Sequence, residues 1–140
     1  MADAKYTELE YDKDSGKPIY SDIDLSMKVH PTTGDILKTK NATVIKQSMR
    51  SVLQTREFER IGHPEIGSNL QTLLFDPMNN ITKARLKQSV SDTIQKLEPR
   101  AIVRDIQVIG EDDLNRYRVK IIFTMMGQQS SETFESFLYR

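Results

Sequence analysis

Two carboxylates, Glu65 in "HPEIG" and Glu98 in "LEPR", are the residues whose type and setting could do chemistry. A glycosidase works with two carboxyls across a sugar, one of them with a raised pKa so that it can donate a proton. Arginines stand close to both in sequence, Arg56 and Arg60 before Glu65 and Arg100 after Glu98. A guanidinium lowers a neighbouring carboxyl's pKa and spoils it as a general acid. His30 and His63 are the only histidines, and neither has a second ligand at helical metal spacing. Asp22 and Asp24 in "YSDID" supply two oxygens but not the further ligands a hard cation requires, so turn capping is their expected role. Cysteine is absent, which excludes a thiolate metal site and a cysteine nucleophile, and neither a Gly-rich phosphate loop nor a serine elbow is present. The reading is a protein without catalysis, metal or cofactor, with a glycosidase using Glu65 and Glu98 as the alternative.

Glu98 poses a separate physical question. A helix C-terminus carries partial negative charge, so an acid in its last turn is disfavoured unless a cation holds it. The helix in question is read from Thr82, with Ile81 and Leu86 spaced as a hydrophobic staple and Leu86, Val90, Ile94 and Leu97 as its buried stripe. Pro99 ends it, because proline pushes the preceding residue out of helical geometry.

Two helices are expected before it. From Asn41, the residues Val44, Ile45, Met49, Val52 and Leu53 recur at helical spacing, with Lys46, Gln47, Arg50 and Gln54 opposite. "TREFERIGHPEIG", residues 55 to 67, loses the period and reads as a functional loop. Ser68 and Gln71 then form a capping-box pattern for a short helix anchored by Leu70, Leu73, Leu74 and Phe75. After Arg100 the period becomes two. In "RYRVKIIFTM" the residues Tyr117, Val119, Ile121, Phe123 and Met125 alternate with Arg116, Arg118, Lys120 and Thr124. "AIVRDIQVI" and "ETFESFLYR" flank it as weaker strands. The expected fold is α+β: about three helices packed on a three-stranded antiparallel meander. Residues 1–18, polar and ending in Gly and Pro, are read as a flexible arm ordered by partners, and 19–140 as a single domain.

Lys+Arg and Asp+Glu number 20 each, so no net field draws nucleic acid or anionic lipid. The charge is unevenly spread: residues 1–35 hold eight acids and four bases, residues 36–60 six bases and two acids. Lys38, Lys40, Lys46 and Arg50 lack interleaved aromatics, so a solvated helix face fits them better than a nucleic-acid site. No apolar run approaches the roughly 20 residues of a membrane span, and the start of the chain lacks a signal-peptide pattern, which reads as soluble and cytosolic. Neither nucleic acid nor membrane is an expected partner.

The last strand raises a further point. Thr133 to Tyr139 is an edge of the expected meander, yet it carries Phe134, Phe137, Leu138 and Tyr139 with only Glu135 to guard it. Such an edge invites another strand, from a second protein or, as the alternative, from the N-terminal arm of the same molecule, with Ser136 or Phe137 presenting its amide outward.

"IYSDID" at 19–24, "TREFERIGHPEIGSNLQTLLFD" at 55–76 and "LEPR" at 97–100, in this order and separation, resemble the sheath-initiator family, the lysozyme-like baseplate wedge proteins of contractile phage tails and related injection systems. The likeness runs from about Ile19 to the last strand. One departure stands out: the family usually carries a glycine between the two loop arginines, where this chain has Glu57, Phe58 and Glu59. The resemblance implies an assembly protein of the virion tail baseplate, built in the host cytoplasm, with a lysozyme-like peptidoglycan hydrolase of a phage tail, acting through Glu65 and Glu98, as the alternative. Glu98, Pro99 and Arg100 would dock on the wedge core bundle, supported by the loop of Arg56, Arg60 and Glu65. Glu98 would be held by Arg56 or Arg60 while Arg100 faces a partner. The edge at Phe134, Ser136, Phe137, Leu138 and Tyr139 would receive the tail sheath protein by strand exchange, with tail tube or hub proteins as further neighbours.

Overall fold

The computed structural model describes residues 20–140, and the expected arm at 1–18 lies outside the described residues. The chain divides into two compact units, the first ending at Gln47 and the second spanning Ser48–Arg140, with the divide falling inside a helix.

In the first unit, strands β1 (Ser21–Ile23) and β2 (Lys38–Lys40) pair antiparallel, Ser21 opposite Lys40. The connection is built from local polar capping. The Asp24 carboxylate accepts from the amide and the hydroxyl of Ser26 at 2.8 and 2.7 Å, as expected for a turn-forming aspartate. His30 Nδ1 accepts from the amides of Thr32 and Thr33, and Val29 bridges Ile36. This hairpin is an addition to the expected fold. Its signal was present, since Ile23, Leu25, Met27 and Val29 alternate with polar residues, but all four are exposed, so no core face marks the pattern as a strand.

Helix α1 (Ala42–Gln54) straddles the divide, and in the second unit its Met49 and Leu53 are buried. Short α2 is Leu70–Leu74, and α3 is Asn80–Leu97. Both expected N-terminal signals are corrected. The Ser68 hydroxyl donates to the Leu53 and Thr55 carbonyls, and the residue at the start of α2, Asn69, makes no side-chain cap. Ser68 is itself buried and stands one residue before the N-cap, with its hydroxyl turned to the orphan carbonyls at the end of α1. For α3, Asn79 is the N-cap, its side chain accepting from the Thr82 amide at 2.8 Å. Starting two residues early turns Ile81 outward, 67% exposed, so it staples nothing. The stripe of Leu86, Val90 and Ile94 is fully buried.

Strands β3 (Ala101–Glu111), β4 (Arg116–Met125) and β5 (Ser131–Tyr139) form the meander in the order β3-β4-β5. Its inner face carries Ile106, Tyr117, Val119, Ile121, Phe123, Phe134 and Leu138, all buried, which realises the period of two. A bulge at Arg104 shifts the β3 register, and Arg104 Nε donates to Thr124 Oγ1. The fold class is α+β, as expected.

Candidate assembly site

The Glu98-Pro99-Arg100 stretch is a tight turn closing α3 onto β3. Glu98 is the C-cap residue, its amide donating to the Ile94 carbonyl at 2.8 Å, and the Ala101 amide donates back to the Glu98 carbonyl at 3.1 Å. Proline at the second position of such a turn presets its backbone angle. Across this turn Arg100 grips Glu98 with two parallel bonds, Nε to Oε1 at 2.6 Å and Nη2 to Oε2 at 2.7 Å. Ser48 of α1 adds a third hydrogen bond to the carboxylate. Glu98 is 1% exposed, whereas Pro99 is exposed and the Arg100 side chain is 35% exposed.

This corrects the expected pairing. Glu98 is held by the arginine two residues on, not by Arg56 or Arg60, and Arg100 spends its fork inside the molecule. The physical reason is chain closure: the turn brings positions 98 and 100 together without the ordering cost of recruiting a distant loop. Arg56 instead uses Nε on Gln71, and Arg60 is exposed. Burial pushes the Glu98 carboxyl up, but the hydrogen bonds from Arg100 and Ser48 and the Arg100 charge outweigh it and hold the group below the usual carboxylate range.

The preceding loop is a closed, backbone-bonded structure. The Ser68 amide donates to Thr55, the Glu57 amide to Ser68 and the Phe58 amide to Pro64, so the loop's two ends lie side by side. Gly67 makes this possible: it sits at φ +149°, and a Cβ there would lie 2.5 Å from the Arg56 carbonyl. Phe58 occupies the left-handed region at φ +66° and is 81% exposed, so the non-glycine stretch adopts the shape glycine favours rather than avoiding it. Glu65 is exposed, its carboxyl lowered by its own amide and by His63 Nδ1 at 3.1 Å. Lys96 donates to the Glu65 carbonyl, which ties the loop to α3.

Strand β5 is the third element. It pairs with β4 alone, so its other edge meets no strand among the described residues. The Arg140 amide donates to Asn115 on the β4 side. Since backbone groups alternate in direction along a strand, Leu138, Ser136 and Phe134 also bond toward β4, and the amides of Tyr139, Phe137 and Glu135 point outward. Side chains alternate in register: Phe134, Ser136 and Leu138 are buried inward, and Phe137 and Tyr139 face out beneath Arg116, whose guanidinium lies 4.2 Å from the Phe137 ring centroid. Glu111 binds that arginine and Arg118 together, an aromatic and ionic cluster that sequence reading missed although register, once known, lines it up. Among the described residues no group of three or more acidic, histidine or cysteine side chains could hold a metal, and no helix is long and apolar enough to cross a membrane.

An α+β fold whose polar constellation is spent on a rigid turn leading into β3, and whose sheet leaves the far edge of β5 unpaired among the described residues, has the makings of an assembly component. A model of the baseplate wedge protein gp25 family matches residues 39–130, and the chain belongs to that family. The baseplate wedge protein gp25 of Enterobacteria phage T4 is 29% identical over 108 residues, covering 77% of this chain and 81% of that protein. Two solved structures share the fold. A candidate tail lysozyme from Geobacter sulfurreducens superposes with TM-score 0.65 at 20% identity, covering 69% of this chain and 88% of that one. A chain in the baseplate of the anti-feeding prophage does so with TM-score 0.60 at 18% identity, covering 86% and 84%. The protein is thus a structural component of a tail baseplate wedge.

Proposed function

We propose that the chain acts by binding alone, docking through the Glu98-Pro99-Arg100 turn on the wedge core bundle and seeding the contractile sheath along β5. The observation that carries this reading is the outward row of β5 amides and carbonyls, which no strand of the described residues satisfies. Strand addition draws affinity from such main-chain bonds. In the turn, Pro99 and the exposed part of Arg100 form the contact, and Glu98 is the strut that fixes both, with the loop of Arg56, Arg60 and Glu65 alongside. Assembly takes place in the host cytoplasm, with tube or hub proteins as further neighbours.

The particle test is Phe137→Pro, which removes one outward donor. Imaging should find baseplates with bare tubes; sheaths of normal length would overturn the reading. The non-catalytic part is supported by the two carboxyls themselves, both held ionised where a glycosidase needs one protonated. A zymogram on peptidoglycan should stay blank; clearing that disappears in Glu98→Gln would establish a hydrolase instead.

A further inference from the structure

A groove of about 420 Å³ runs beside the end of β5, against the C-terminus of α1 and against α2. Consecutive residues Phe137 to Arg140 line it, although their side chains belong to opposite faces of the sheet. A groove that follows the strand's edge meets residues of both faces in turn. Buried Leu70, Leu74 and Leu138 form its apolar floor, and exposed Phe75 and Tyr139 stand at its rim. Among the described residues that line it, Arg56 and Arg140 are the charged ones. Among the described residues neither guanidinium is paired with a carboxylate: Arg56 binds the Gln71 amide oxygen, and Arg140 the Phe75 carbonyl at 3.3 Å.

From this we infer that the groove selects the incoming strand by side chain: it takes an extended segment of another protein carrying a bulky aliphatic or aromatic residue and, close to it, an aspartate or glutamate. The reasoning rests on the strand-addition reading and adds what that reading leaves open. A strand bonded to the outward groups of Phe137 and Tyr139 has every second side chain directed at the helices, where the leucine floor accepts an apolar group and rejects a charged one. A carboxylate near the mouth meets two cations that have only neutral partners. A basic segment meets them as like charges, which supplies rejection as well as attraction.

The probe is a displayed library of short random peptides selected on the full chain. Peptides with alternating bulky apolar residues and an adjacent Asp or Glu should be enriched. The double variant Arg56→Glu, Arg140→Glu changes two exposed side chains, and on it the preference should switch to Lys or Arg, with binding of the acidic peptides falling about tenfold. Phe137→Pro should abolish capture of every class. Enrichment without an acidic preference, or a preference unchanged on the double variant, overturns the inference while loss of binding on Phe137→Pro keeps strand addition standing. Capture that survives Phe137→Pro, or a selection that enriches nothing, counts against both.

Discussion

Glu98 and Arg100 form an unequal pair, because the acid is sealed from solvent and the base keeps a third of its side chain in water. Removing the base leaves a buried charge held by Ser48 and the main-chain amide of residue 100 alone, whereas removing the acid leaves a guanidinium that water can reach. Arg100→Ala should therefore cost about 3 kcal/mol, against about 1–2 for Glu98→Ala, measured by urea unfolding of the isolated chain. A docking defect in an Arg100 variant then needs a stability control before it is read as a lost contact. The pair also fixes a pH dependence. Glu98 has a folded pKa below its unfolded value, so its contribution is fully present above the unfolded value of about 4.3 and disappears as pH falls through the lower folded one. Glu98→Gln should flatten that acid limb of the unfolding midpoint against pH. At Phe58 the strain is of another kind: a β-carbon in left-handed geometry with an exposed ring that packs on little. Phe58→Gly should raise stability by about 0.5–1 kcal/mol, the relief of strain less the added chain entropy.

Among the elements, β5 carries the sharpest contrast. Ser136 is buried and bonds its amide toward β4, so Ser136→Pro removes a ladder bond inside the sheet and should cost about 3 kcal/mol or more. The next residue points its amide outward, so Phe137→Pro should leave the thermal midpoint of the isolated chain much closer to wild type, losing mainly the stacking of Arg116. Equal damage from both would show that the outward assignment is wrong. The loop from Arg56 to Gly67 is an element too, since its paired ends and the Gly67 cradle give it a fixed shape without regular secondary structure. Such a loop can hold a neighbouring surface in place without paying an ordering cost on binding.

For the whole molecule, the balance of 20 acids and 20 bases leaves recognition to local geometry rather than to a long-range field. Pro99 is the test at this scale because it is exposed and bonds to nothing through a side chain. Pro99→Ala should change the stability of the isolated chain by no more than about 1 kcal/mol, through the turn's entropy. Incorporation into wedges, followed by sedimentation of assembling baseplates, should nevertheless drop. Unchanged incorporation would remove the turn from the docking surface.

Periodicity alone determined the buried stripe of α3, the alternation of β4 and hence the α+β class, because each depends only on which residues along one element must leave water. Local residue type placed the chain's breaks, since Pro99 and the glycines of the 55–67 loop act through their own backbone angles. What only tertiary structure decided are the partnerships. Ser68 caps α1 rather than α2, and Glu98 closes on Arg100 rather than on Arg56 or Arg60. The Glu111, Arg116 and Arg118 cluster needs the β3-β4 register before it exists. Each of these is a competition, of several acceptors for one donor or of several cations for one carboxylate. Composition lists the competitors, but the winner is set by distances that arise only when the chain has closed on itself.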